Sequence, residues 1–77
     1  MLKKINDTMV EVFKTNVEEI AQSKILIEKL YYHFPKSKIN FDLDDCDRIL
    51  RVEADTILPE TVIELLHQNG YQAEVLL

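Results

Sequence analysis

Few side chains in this 77-residue chain are suited to chemistry, and most of them lie in one short run, Asp42-Leu43-Asp44-Asp45-Cys46-Asp47. Cys46 is the sole cysteine, so no disulfide can form within one chain. A thiolate, an imidazole and carboxylates together can hold zinc, provided three or four of them converge. Cys46, His67, Asp44 and Asp47 are the set that could do so here, and a second sulfur could come only from a second chain. The run is not an EF-hand loop, because it lacks the glycine and the distant glutamate. Carboxylates around a thiol repel the thiolate, which argues against Cys46 as a nucleophile. The plainer expectation is an exposed or half-buried thiol in a solvated acidic turn, with no resident metal or cofactor. His33 follows two tyrosines where a helix should end, a favourable place for an imidazole beside the helix C-terminus. The sequence shows no Ser/His/Asp set, no glycine-rich phosphate loop and no carboxylate pair in an apolar setting, so no enzymatic activity is expected.

Composition narrows the partners. The net charge is −5, and no Lys/Arg cluster exists beyond Lys3-Lys4, which argues against a nucleic-acid phosphate backbone. No apolar run approaches the ~20 residues of a membrane span. The start of the chain lacks the apolar stretch of an export signal, and a lone cysteine suits a reducing compartment, so a cytoplasmic location is the expectation. One glycine and two prolines leave little room for linkers. The chain reads as a single domain, 1–77, with its core over 8–77.

The elements that must position these residues follow from periodicity. Thr8 to Lys14 alternates as a strand, Val10 and Val12 against Met9, Glu11 and Phe13. The expectation is valines inward, Met9 and Phe13 outward. Thr15 with Glu18, or Asn16 with Glu19, offers a capping box for a helix over roughly 17–34. Ile20, Ile27, Leu30 and Phe34 recur at helical spacing, flanked by Ala21 and Leu26, and Pro35 ends the run. Residues 38–44 alternate again, with Ile39, Phe41 and Leu43 inward; 45–47 turn; 48–54 return, with Leu50, Val52 and Ala54 inward. Phe41 and Leu50 are expected to be fully buried. Pro59-Glu60 opens a second helix with Val62, Leu65 and Leu66 as its buried stripe, and Asn69-Gly70 closes it. Tyr71, Ala73 and Val75 then alternate with Gln72, Glu74 and Leu76 as a last strand.

The order βαββαβ is the split-βαβ arrangement of the α+β, ferredoxin-like class. Right-handed crossovers set the strand order 4-1-3-2, with both helices on one face of a four-stranded antiparallel sheet. The segments 15–19, 44–47 and 67–71 then fall at one end of the sheet. The face without helices should carry Met9, Phe13, Ile49 and Leu76 amid Glu11, Arg51, Glu53 and Glu74. A contiguous apolar patch across adjacent strands is a contact surface. Ile25 and Tyr32 on the outer side of the first helix are a lesser candidate.

Leu58-Pro59-Glu60-Thr61-Val62-Ile63, the spacing of Val62 and Leu66, the close Gly70-Tyr71-Gln72-Ala73 and the strand Ile39-Asn40-Phe41-Asp42-Leu43 together resemble a heavy-metal-associated (HMA) domain. The resemblance spans roughly 8–77 and implies the fold just described. It also implies a C-x-x-C pair between the first strand and first helix, gripping Cu(I) or zinc. Those positions fall at Glu19 and Gln22, or at Ile20 and Ser23, and neither choice contains sulfur. Conventional copper carriage is therefore not expected. The expectation is a small non-enzymatic interaction module whose partner is a protein or a second copy, as a homodimer. The rival is a metal carrier using an unconventional site around Cys46. Two other users of this topology fit less well. The acylphosphatase type needs an arginine-bearing phosphate cradle, and the effector-binding ACT type needs a glycine-rich loop where this chain has Thr15-Asn16-Val17.

Overall fold

A computed structural model describes residues 8–76. Its elements are β1 (Met9–Thr15), α1 (Ile20–His33), β2 (Lys38–Asp42), β3 (Ile49–Ala54), α2 (Pro59–Gln68) and β4 (Ala73–Val75). All strand pairs are antiparallel and the sheet order is β2-β3-β1-β4, the expected 4-1-3-2 read from the other edge. Phe13, Val17, Leu26, Leu30, Leu50, Val52, Val62 and Leu66 are the fully buried centre of the core.

β1 is turned over relative to the expectation. Phe13 pairs with Leu50 on one side and Val75 on the other, both of which belong to the core. Its own side chain is 0% exposed. Met9, opposite Ala54, is on the same helix-covered side, while Val10 and Val12 face the open side. The motif Met-Val-Glu-Val-Phe carries apolar residues in both phases, and only the phase with Met9 and Phe13 also carries a charge, Glu11. A buried phenylalanine outweighs that, because it removes the largest apolar surface on the strand from water. Glu11 stands opposite Val52 but is only half-buried, so it keeps part of its hydration. Thr15 falls in the same phase as Phe13 and is buried too.

α1 also differs. It begins at Ile20 rather than near Val17, with Glu19 as its N-cap, and neither expected capping pair forms the cap. Val17 is instead an extended-loop plug, 0% exposed in the core. The buried stripe is Ser23, Leu26 and Leu30, with Ile27 and Phe34 packed against the core, and Ile20, in the first turn, is exposed. Leu50 is fully buried as expected, but Phe41 is only half-buried, because β2 is an edge strand and leaves one side of the ring open.

α2 agrees with its sequence signals. Pro59 occupies its first turn and Val62, Leu65 and Leu66 are buried. Gly70 has φ +90°. The Gly70 N–H donates to His67 O at 3.0 Å and the Tyr71 N–H to Leu66 O at 2.9 Å, the bond pair of a Schellman close. No helix among the described residues is long and apolar enough to cross a membrane.

Candidate functional site

Three connections meet at the end of the sheet where the resemblance would place a metal. The Thr15 N–H donates to Asp47 O at 3.0 Å, tying the β1 exit to the β2–β3 turn. The Gln72 N–H donates to Asn16 Oδ1 at 2.8 Å, tying the same exit to the segment after α2. Thr15 is the hub. Its buried hydroxyl donates to Arg48 O at 2.6 Å and accepts from the Val17 N–H at 3.2 Å. Arg48 adopts φ 49°, a left-handed conformation uncommon outside glycine. Its guanidinium donates back to Leu43 O at 3.0 Å, closing the turn on itself.

The acidic turn is held the same way. Asp45 Oδ1 accepts the Asp47 N–H at 2.8 Å, and Asp45 O accepts the Arg48 N–H at 2.9 Å. The Asp45 carboxylate is thus already engaged in local turn geometry. Asp45, exposed Cys46 and Asp47 bring their ligand atoms within 4.8 Å of one another, and neither His67 nor Asp44 belongs to that group. The set Cys46, His67, Asp44 and Asp47 is therefore not assembled; Asp45 stands in it where Asp44 was expected. His67 is exposed on the last turn of α2.

The four positions implied for thiol ligands serve the start of α1. The Glu19 N–H donates to Gln22 Oε1 at 3.3 Å, half of a capping box. The Ser23 hydroxyl, buried, donates to Ile20 O at 2.7 Å, and the Ser23 N–H donates to Glu19 O at 3.0 Å.

The helix-free face is the second candidate. Pair registers lay it out in rows running from β2 to β4: Lys38, Glu53, Val10; then Asn40, Arg51, Val12, Leu76; then Asp42 and Ile49, with Lys14 and Glu74 beyond. Ile49 and Leu76 stand on this face as expected; Met9 and Phe13 do not, and Val10 and Val12 take their place. Val10 is 47% and Leu76 38% exposed. Val12 and Ile49 are half-buried among charged neighbours.

Elsewhere, an open depression between α1 and α2 is lined by His33, Glu60, Glu64 and Gln68, with the ring of Tyr32 edge-on to His33 at 5.6 Å. A second groove of about 410 Å³ opens between α1 and the outer side of β2, lined by Ile20, Lys24, Ile27, Phe41, Leu43 and Asp44 among others. No family model matches the chain, and no curated protein matches it.

Proposed function

We propose that this chain is a small non-catalytic protein-interaction module of HMA-like build that lacks the cysteine pair, and that it meets its partner through the helix-free sheet face. The observation that carries this reading is the row Val12–Leu76 with Val10 beside it: three aliphatic side chains on the sheet face opposite both described helices. Charges of both signs, Lys14, Arg51, Glu53 and Glu74, rim the patch, so a protein surface of mixed polarity can approach without net repulsion. The absence of sulfur at residues 19, 20, 22 and 23 supports the non-carrier side of the reading.

The partner that can be tested directly is the chain itself. Amide chemical shifts are followed from low to high micromolar concentration, for the wild type and for Val10→Lys combined with Leu76→Lys. Concentration-dependent shifts clustered at residues 10, 12, 49 and 76, lost in the double variant, are the expected result. Shifts that never touch this face remove its self-contact and, with it, the reading's main support.

A further inference from the structure

The outer edge of β2 carries a charge pattern that is complementary to itself. The strand reads Lys38-Ile39-Asn40-Phe41-Asp42, and it is the terminal strand of the sheet. Lys36 precedes it and Asp44 follows it, so its start is basic and its end acidic. Lys38, Asn40 and Asp42 are exposed on the helix-free side; Ile39 and Phe41 lie on the helix side.

The backbone of this edge is free in a definable way. The Leu76 N–H bonds to Val12 O at 2.8 Å and the Asn16 N–H to Gln72 O at 3.3 Å, so even-numbered residues of β1 turn their peptide groups towards β4. Odd-numbered ones turn towards β3, as the Thr15 N–H bond to Asp47 O agrees. Carried across the registered pairs, this alternation directs the peptide groups of Lys38, Asn40 and Asp42 to β3. Ile39 and Phe41 therefore aim their N–H and C=O groups outward, where no described strand receives them.

We infer that a second copy of this chain docks here, β2 against β2, antiparallel about a two-fold axis at Asn40, joining two sheets into one of eight strands. In this register Lys38 of each copy stands opposite Asp42 of the other, and Lys36 faces the end that carries Asp44. Ile39 of one copy opposes Phe41 of the other and exchanges both backbone hydrogen bonds with it, while the two Asn40 side chains meet on the axis. It is the only register that pairs all five residues of both strands. Centring on Asp42 would set that carboxylate against itself. Charged side chains deter edge pairing when like signs face each other; here the two-fold operation brings unlike signs together. The half-open ring of Phe41 and the apolar groove beside α1, with Ile20 and Ile27 exposed or half-exposed in it, provide the surface that two apposed copies would cover. The contact is small, so the dimer is weak and reversible. It uses the outer edge of β2 rather than the aliphatic patch of Val10, Val12 and Leu76, and does not rest on that reading.

The test is charge reversal with complementation. Sedimentation equilibrium gives the wild-type dimer constant. K38D or D42K alone sets like charges opposite at two places per dimer and weakens self-association roughly tenfold or more. An equimolar mixture of the K38D and D42K chains recovers a heterodimer, since both opposed pairs are again unlike. In hydrogen exchange, the Ile39 and Phe41 amides gain protection as concentration rises, whereas those of Asn40 and Asp42 are protected throughout. A wild type that remains monomeric, a K38D chain that dimerises as well as wild type, or Ile39 and Phe41 amides indifferent to concentration each overturns the inference. Loss of dimer in Val10→Lys with Leu76→Lys, but not in K38D, likewise overturns it and assigns the contact to the open face.

Discussion

Phe13→Ala separates the observed register of β1 from its mirror. The ring is 0% exposed at the centre of the sheet, opposite Leu50 and beside Val75. An aromatic side chain buries about 150–250 Å², which at ~25 cal/mol per Å² is about 4–6 kcal/mol. Truncations of buried phenylalanine cost about 3–5 kcal/mol, the sites relaxing in part. A chain of this length has a total stability of about 4–12 kcal/mol, at about 0.05–0.15 kcal/mol per residue. The variant should therefore lose between about a quarter and all of its stability. Val12→Ala, one residue along and on the open face, should cost below about 1 kcal/mol. Phe41→Ala should fall between, about 1.5–2.5 kcal/mol, because the edge position leaves the ring half in water. Urea unfolding followed by circular dichroism measures all three. With a slope near ~1 kcal/mol per molar, Phe13→Ala lowers the midpoint by about 3 M or is unfolded in buffer. A Phe13→Ala midpoint equal to that of the wild type, with a large loss in Val12→Ala, would refute the register, since a one-residue slip exchanges every side chain between faces.

Two further outcomes are expected at the loop end of the sheet. Thr15→Val preserves shape but strands Arg48 O and the Val17 N–H, and should cost about 1–3 kcal/mol in the same melts, whereas Thr15→Ser should retain most of the stability; equal losses in both would deny the hydroxyl its role. The monomer should show no tight Cu(I) binding in competition with a chelator: stoichiometric uptake that survives Cys46→Ser would contradict this, and uptake abolished by that change would promote the Asp45, Cys46 and Asp47 group to a metal site.

The fold was legible because its punctuation is unambiguous. Pro59 and Gly70 bracket α2, Pro35 follows the end of α1, and the acidic turn separates two strands whose inward residues include Ile39, Leu50, Val52 and Ala54, while their outward phase is polar but for Ile49. β1 was not legible on the same grounds. Its two phases are both apolar, and period-two alternation contains no information about which face has helices above it; that is decided by partners far along the chain, Leu50 and Val75. The start of α1 failed for a related reason. Residues 15–19 hold several capping side chains in succession, and local propensity cannot rank them. What ranked them was tertiary: Thr15 is drawn into the bond to Arg48 O and Asn16 into the bond from the Gln72 N–H, leaving Glu19 as the residue free to end the loop. The charge pattern and edge position of β2 were both legible in the sequence; which of its peptide groups face outward is set by the pair registers.

The same competition bears on the loop end as a site. In a metal-gripping loop the ligands must point away from the protein and the backbone must tolerate an ion in their midst. Here the loop's polar side chains are bonded to neighbouring backbone: Thr15 to Arg48, Asn16 to Gln72, Asp45 to Asp47, Gln22 to Glu19, Ser23 to Ile20. Each bond satisfies a backbone donor or acceptor that the chain reversals would otherwise leave open. Side chains engaged in this way tie three connections together, and Asp45, Cys46 and Asp47 offer two carboxylates and one thiol, with Asp45 Oδ1 already accepting the Asp47 N–H. The surfaces with unspent binding capacity lie elsewhere, on the sheet's open face and along the outward peptide groups of Ile39 and Phe41. Association through either leaves the Thr15 hub intact, so a variant that disrupts the hub should lose stability first and self-association only as a consequence, whereas K38D should do the reverse.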